Sequence, residues 1–297
     1  MEKSKKTSFL KNLPILALLC GLFVVSSCTK DDDSGKSIET DPNSIRMLIT
    51  SEGQFGYATA SLTAITYGNT VTNDLFRTVN NRPLGDVAQS MTEVGDNYYV
   101  AVSNSKKIEV FNKKTFLSVE TIPTQNSPRY MVYLGNDRMM VSDKGTMNLL
   151  INVKTKEQQK ITGVEGTAQM KTVGNKLFLS GNHGLRVMDI DKIAENKVRE
   201  IKNLETESIV TCQNAKIVQD KSGKLWVLAP SSYFVPVAKL ICIDPTTEKV
   251  VKEIAITNIA VNDFARLDIS PDGEYLYYTG SLNNEKGIMQ MHINALS

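Results

Sequence analysis

Histidine and cysteine are scarce in this chain, which has two histidines and four cysteines among its 297 residues. His183 and His292 stand far apart, and the sequence has no cluster of cysteine and histidine around either of them. Structural zinc sites use closely spaced ligands of these two types. The sequence therefore predicts no metal site, and it also predicts no cofactor.

A large excess of charge is missing as well. Lysine and arginine together number 34, against 32 aspartates and glutamates. Residues 1–27 contain four lysines and one glutamate, so the remainder of the chain has 30 basic and 31 acidic residues. This balance excludes the basic surface that nucleic acid or general adhesion to anionic lipid requires. We expect no nucleic-acid partner.

Sequence motifs of the common enzyme classes are absent too. The chain has no nucleophile elbow, no phosphate-binding glycine loop and no zinc-protease signature. Carboxylates occur at Glu52, Asp86, Asp143 and Asp263, but their spacing pairs none of them with a histidine base. We therefore expect that the protein is not an enzyme.

The N-terminal segment has the three parts of a secretory signal. Four lysines precede an apolar run, Leu13–Val25, which is shorter than the ~20 residues of a membrane-spanning helix. Ser26 and Ser27 then precede Cys28, and this arrangement resembles the lipobox of bacterial lipoproteins. The resemblance implies a signal peptide at 1–27 and a lipid-bearing thiol at Cys28. An ordinary signal peptide with an incidental cysteine is the alternative.

Three aspartates, Asp31 to Asp33, follow the cysteine closely. They resemble the export signal of lipoproteins that reach the outer face of the outer membrane in Bacteroidetes. The resemblance implies a lipid anchor and a location on the cell exterior, with a solvated linker as the alternative. Residues 28–44 are rich in Asp, Ser, Lys and Gly and are predicted to form a flexible tether. Residues 45–297 remain as the domain.

A repeat runs through this domain. The segments that begin at Met91, Met131 and Met170 share short alternating apolar runs separated by tight turns. The turn glycines lie 40, 39, 49 and 50 residues apart at Gly95, Gly135, Gly174, Gly223 and Gly273. Four strands per repeat of this length predict an all-β fold, a β-propeller of four-stranded antiparallel blades. A β-sandwich would not repeat this order.

About five complete blades and one partial blade are predicted. Their approximate bounds are 45–80, 86–122, 127–162, 167–203, 211–256 and an incomplete 262–297. The first unit begins at what is the second strand of later units, and the sequence stops in the third strand of the sixth. Cys212 and Cys242 fall on strands of one unit that are not neighbours. Two separate buried thiols are therefore favoured over a disulfide, and Trp226 is predicted to lie in the core.

The stretch SEGQFGYATASLTAIT, residues 51–66, resembles the first-blade signature of surface lipoproteins of Bacteroidetes with a propeller of the YncE or YVTN type. Their domain is often described as one of unknown function. The best-understood members, which are BtuG-like, capture cobalamin above a TonB-dependent transporter. The resemblance implies seven blades, capture of a corrinoid, and delivery to such a transporter. Ser51 replaces the usual asparagine, and at least one blade is absent, so we expect a C-terminally truncated domain.

Three groups of side chains are the predicted ligand-binding residues. The first-blade signature contributes Glu52, Gln54, Phe55 and Tyr57. The entries to the innermost strands contribute the channel-mouth residues, which are Gln89, Arg129, Gln169, Lys216 and Arg266. Loops between second and third strands contribute His183 and Tyr233.

Amide and guanidinium donors suit a large amide-rich ligand such as a corrinoid, or a glycan. As alternatives, Phe55 and Tyr57 plug the channel mouth, and the polar residues bond to one another. A glycan-binding protein, a lactonase-like or lyase-like propeller enzyme, and a scaffold for partner proteins remain the other functions.

Overall fold

The computed structural model describes residue 41 and residues 43–143, 147–204, 209–210, 216–230, 237–257, 259–261, 266–283 and 285–296. The predicted signal peptide, the predicted lipidation site Cys28 and most of the predicted tether lie outside the described residues. So do Cys212 and Tyr233. In the described part of the chain, no helix is long and apolar enough to span a membrane.

The described strands form six antiparallel sheets in which each strand pairs with its neighbours in sequence. This arrangement is a six-bladed β-propeller. The expectation of five complete blades and one partial blade was wrong, because four blades have four strands each and the first and sixth blades have three.

Blades 2 to 5 are the four-stranded ones, and short hairpin turns connect most of their strands. The strands are β4 (Ala88–Val94), β5 (Asn97–Val102), β6 (Lys107–Asn112) and β7 (Ser118–Pro123) in blade 2; β8 (Pro128–Gly135), β9 (Arg138–Asp143), β10 (Asn148–Asn152) and β11 (Gln158–Ile161) in blade 3; β12 (Thr167–Val173), β13 (Lys176–Gly181), β14 (Arg186–Asp189) and β15 (Arg199–Glu200) in blade 4; β16 (Val218–Gln219), β17 (Leu225–Ala229), β18 (Ala238–Asp244) and β19 (Lys249–Ile256) in blade 5.

Blades 1 and 6 have three strands each. They are β1 (Ile45–Ser51), β2 (Ser61–Thr66) and β3 (Val71–Thr72) in blade 1, with β20 (Leu267–Ile269), β21 (Tyr275–Leu282) and β22 (Glu285–His292) in blade 6. The chain that joins β1 to β2 meets the entry to β4, since the Ala60 N–H donates to the Gly85 carbonyl at 3.1 Å. In blade 2 the loop between β5 and β6 meets the same entry. The strands β1 and β2 thus correspond to the second and third strands of later blades.

Five apolar clusters hold the blades together, and each lies between two consecutive blades. Phe111 packs between blades 1 and 2, Met139 between 2 and 3, and Leu177 between 3 and 4. Val227 and Leu240 belong to the clusters between blades 4 and 5 and between 5 and 6. Middle strands such as β9 and β13 are buried on both faces, as expected for sheets stacked face to face.

Blade 1 is buried on one face only. Leu62 and Ala64 point toward blade 2, whereas Met47 and Val71 on the opposite face are 47% and 54% exposed. Ile65 pairs with both of these residues across the sheet, so the three form one apolar row. In the described residues, this row lies on the face of blade 1 that forms one edge of the stack of blades.

The described residues contain three helical segments, and two of them interrupt the repeat. Helix α1 (Leu75–Asn80) follows β3 and inserts Phe76 into the first apolar cluster, where its ring lies 5.7 Å from that of Phe111. A 3₁₀ helix, Ile190–Glu195, replaces the turn after β14 and buries Ile190 and Ile193. A second 3₁₀ helix, Ile293–Leu296, follows β22.

Trp226 is buried in the core, as predicted. Its indole N–H donates to the Asp220 carboxylate at 2.7 Å, which satisfies the one polar group of the ring system. Cys242 is a buried free thiol on the neighbouring strand β18.

Candidate functional site

The first-blade loop, residues 52–60, connects β1 to β2 and presents two aromatic rings to solvent. Phe55 is 68% exposed and Tyr57 is 67% exposed. Gly53 and Gly56 have positive φ angles of 75° and 86°, a region that favours glycine. At Gly53 a Cβ atom would lie 2.5 Å from the Ala60 nitrogen, so a side chain does not fit there. The glycines of the predicted signature thus shape the loop that displays the rings.

Asp86 attaches this loop to blade 2. Its Oδ2 accepts hydrogen bonds from the Gly56 N–H at 2.8 Å and from the Asn104 side-chain amide at 2.5 Å. The Asp86 N–H donates to the Ser105 hydroxyl at 2.9 Å. One carboxylate therefore joins the first-blade loop, the entry to β4 and the loop between β5 and β6. The predicted binding set did not include Asp86, because its role depends on a contact across 30 residues of sequence.

The channel-mouth residues lie where predicted in the strand order, at or just before the innermost strands. Two of the five bond within the protein. The Gln89 side-chain amide donates to a Glu52 carboxylate oxygen at 2.8 Å, and the Lys216 ammonium lies 2.7 Å from the Asp268 carboxylate. The partners Glu52 and Asp268 lie outside the channel-mouth set, so these two contacts are not bonds of the channel-mouth residues to one another.

The other three channel-mouth residues are Arg129, Gln169 and Arg266. Arg129 and Gln169 are half-buried, and Arg266 is exposed. The guanidinium of Arg129 lies 5.6 Å from the ring centroid of Tyr130, a cation–π distance. With the described residues, neither arginine forms an ion pair. Their N–H donors remain available to a ligand.

His183 lies elsewhere, in a cavity of about 650 Å³ beside blade 4 whose lining includes Glu165, Arg186 and Lys202. The structure does not bring it into contact with the first-blade loop. Among the described residues, no three His, Cys, Asp or Glu side chains converge as they would to hold a metal ion.

A second cavity, of about 640 Å³, shares Arg199 with the first and lies between blades 4 and 5. The guanidinium of Arg199 donates to Glu248 at 2.7 and 2.8 Å and to Asp189 at 2.8 and 3.1 Å. Hydrogen bonds to Glu248 and then to Asp189 raise the pKa of Arg199. These bonds use four of the five N–H donors of the guanidinium, so Arg199 joins two blades.

Residues 46–294 match a family model described as Domain of unknown function (DUF5074). Comparison with curated protein sequences gives no match.

Solved propeller structures resemble the fold at low identity. A hydrazine synthase chain from Kuenenia stuttgartiensis is 14% identical with a TM-score of 0.59, and the match covers 70% of this chain and 63% of that one. This chain thus spans less than two thirds of that protein.

Two structures from Bacteroides thetaiotaomicron are also similar. A quinonprotein alcohol dehydrogenase-like protein is 11% identical with a TM-score of 0.53, and the match covers 78% of this chain and 71% of that one. The extracellular domain of a protein described as a one component system is 13% identical with a TM-score of 0.54, with coverage of 78% and 30%. At these identities the likeness establishes the propeller fold alone.

Proposed function

This chain belongs to the family described as a domain of unknown function (DUF5074), and from that premise we propose that it is a binding protein and not an enzyme. We propose an outer-membrane lipoprotein, anchored through Cys28 and facing the cell exterior. Its propeller captures a nutrient and delivers it to a TonB-dependent transporter. The signal-like residues 1–27, Cys28 and the aspartates that follow support this location.

The observation that carries this proposal is the exposure of Phe55 and Tyr57 on a loop fixed to the body of the propeller. Large aromatic side chains usually contribute to a core, and two of them close together in solvent are typical of a recognition surface. The bond between Gly56 and Asp86 positions the loop before a ligand arrives.

A corrinoid is the ligand that we propose first. It combines a flat ring system with peripheral amides, which suit aromatic rings and guanidinium donors respectively. Arg129 and Arg266 supply such donors at the entries to β8 and β20. A glycan is the second candidate, because exposed rings such as Phe55 also stack against the apolar faces of sugars.

Equilibrium binding of cyanocobalamin to the full-length chain in detergent tests the proposal. We expect the absorbance of the corrinoid to stay with the protein through a desalting column. Replacing both Arg129 and Arg266 by alanine is expected to weaken binding about a hundredfold or more, since each substitution removes a charged donor whose bond contributes about tenfold. Lys154→Ala is the matched control, because Lys154 pairs with Asp137 at the turn between β8 and β9.

Retention of labelled glycans without retention of cyanocobalamin would replace corrinoid by carbohydrate as the ligand. Retention of neither class would contradict nutrient capture. Full affinity in the double variant would remove the two arginines from the site.

The anchor and the location have their own test. Palmitate labelling of the wild-type chain and its loss in Cys28→Ser are expected if Cys28 is lipidated. Protease added to intact cells should then degrade the wild-type protein, whereas protection of the protein until the cells are lysed would contradict surface exposure.

A further inference from the structure

Asp86 has an unusual environment for a carboxylate. Its side chain is only 8% exposed, and its Oδ2 accepts two hydrogen bonds. Its Oδ1 is buried, and no donor among the described residues reaches it. A buried acceptor without a donor costs roughly 1–3 kcal/mol, and more if it is charged. Such groups are rare in native proteins and require an explanation.

The first-blade loop lies against this carboxylate, and only weak attachments hold it there. Apart from its base at Ala60, the loop bonds to blade 2 through Gly56 N–H to Asp86 and through Glu52 to Gln89. Both of these bonds have a carboxylate as the acceptor. Loop residues 52–57 are exposed, so lifting them uncovers little apolar surface that was buried. The loop can therefore move away from Asp86 at a cost of a few hydrogen bonds.

The rings of Phe55 and Tyr57 flank the residue that touches Asp86. Gly56 donates to Oδ2, so its two neighbours lie at either side of the same contact. A group that bonds to Oδ1 therefore lies close to two exposed aromatic side chains. An acceptor beside apolar rings fits a ligand in which an O–H or N–H donor is next to an apolar face.

We propose that Asp86 Oδ1 is the acceptor for an uncharged hydroxyl or amide donor of the ligand. The first-blade loop admits this donor and covers it, and Phe55 and Tyr57 pack on the apolar face beside it. The inference rests on the proposed function and adds the residue that determines specificity. A sugar hydroxyl and a corrinoid amide share this chemistry, whereas a carboxylate or phosphate at the same point is repelled by Asp86.

The variant Asp86→Asn tests this proposal. The asparagine oxygen can keep the bonds from Gly56 and Asn104, and its NH₂ group takes the place of Oδ1 and cannot accept. The probes are cyanocobalamin and a panel of labelled neutral glycans, used with the full-length chain. For whichever probe the wild type binds, we expect affinity to fall about tenfold or more, as for a lost bond to a charged group. The melting temperature should not fall, because an unpaired buried charge is removed.

Asp137→Asn is the matched control, since it removes a carboxylate that pairs with Lys154 at a different turn. We expect its affinity to equal that of the wild type. Unchanged affinity in Asp86→Asn, with the wild type binding a probe, would overturn the inference and leave nutrient capture standing. A fall in melting temperature of about 5 °C or more would also overturn it, because the carboxylate would then stabilise the fold itself. Failure of the wild type to bind either probe would overturn both.

Discussion

The guanidinium of Arg82 donates two hydrogen bonds, of 2.6 and 3.1 Å, to the carboxylate of Glu109. Glu109 lies on β6 in blade 2 and is fully buried, whereas Arg82 follows helix α1 of blade 1. Lys107 at 2.7 Å, Ser118 at 2.7 Å and Thr121 at 3.2 Å also donate to the carboxylate. This ion pair thus connects the first two blades at a point where both also share an apolar cluster.

Arg82→Ala is expected to lower the free energy of unfolding by about 2 kcal/mol. Loss of one partner of a fully buried pair costs about 3–5 kcal/mol, but Lys107 stays beside Glu109 and Arg82 is 38% exposed. Urea denaturation measures the change. Lys154→Ala removes an exposed ion pair and should change stability by about 0.5 kcal/mol or less. Equal losses in the free energy of unfolding would mean that burial of Glu109 does not strengthen its ion pair relative to an exposed one.

Stability should also depend on Glu109 at acid pH. Burial tends to raise the pKa of this carboxyl, but hydrogen bonds from Arg82, Lys107 and Ser118 outweigh burial and hold the pKa below its ordinary value of 4.5. A lowered pKa in the folded state contributes stability above pH 4.5, and this contribution is lost as pH falls through the folded value. The wild type should therefore exceed Glu109→Gln in stability at pH 7, and the difference should shrink as pH falls below 4.5. A difference in stability between the two proteins that does not change with pH would contradict a lowered pKa for Glu109.

Two glycines of the first-blade loop should respond differently to alanine. A Cβ atom at Gly56 would have no other atom within 4 Å. Gly56→Ala should therefore destabilise the protein only through its positive φ, by about 1 kcal/mol. Gly53→Ala adds a contact of 2.5 Å with backbone atoms of Thr59 and Ala60. We expect Gly53→Ala to accelerate hydrogen exchange of the Ala60 amide, which bonds to Gly85, more than Gly56→Ala does. The reverse order would show that the loop base tolerates a side chain.

Cys242 should be unreactive in the folded protein. Burial, and secondarily the charge of Asp220, raises the pKa of its thiol to about 12. At pH 8 only about one thiol in ten thousand is then a thiolate, which is the reactive form. Mass spectrometry of the peptide that contains Cys242 should show no alkylation by iodoacetamide until guanidinium chloride unfolds the chain. Rapid alkylation under native conditions would mean that blade 5 opens locally.

The blades were predictable because their strands and turns are local. Gly95 and Gly174 lie in the hairpin turns after β4 and β12, and Gly135 is the last residue of β8. All three have positive φ, and the apolar runs beside them become strands. Helix α1 was not predicted, since it occurs once and has no counterpart in the repeat. Its Leu75, Phe76 and Val79 follow helical spacing over six residues, which is too short a pattern to distinguish from a strand.

The candidate site was predictable only in part. The glycines of the signature identified the loop that exposes Phe55 and Tyr57. The pairing of Gln89 with Glu52, and the attachment of the loop to Asp86, join residues 37 and 30 positions apart. Such contacts depend on how two blades stack, and a strand pattern within one blade contains no information about them. His183 lies in the predicted loop between the second and third strands of its blade, β13 and β14. That blade is blade 4, and the structure does not bring His183 into contact with the first-blade loop.

The apolar clusters of this propeller follow one another along the stack of blades, from the cluster between blades 1 and 2 to the cluster between blades 5 and 6. In the described part of the chain, blades 2 to 5 are thus enclosed on both faces and blades 1 and 6 on one. Local unfolding should begin at the blades that pack against one apolar cluster instead of two. The same holds in repeat proteins, where each repeat is stabilised by contacts with its neighbours. Amide protons of β1 and β22 should exchange first, and those of β9 and β13 should be the last to be replaced by deuterium.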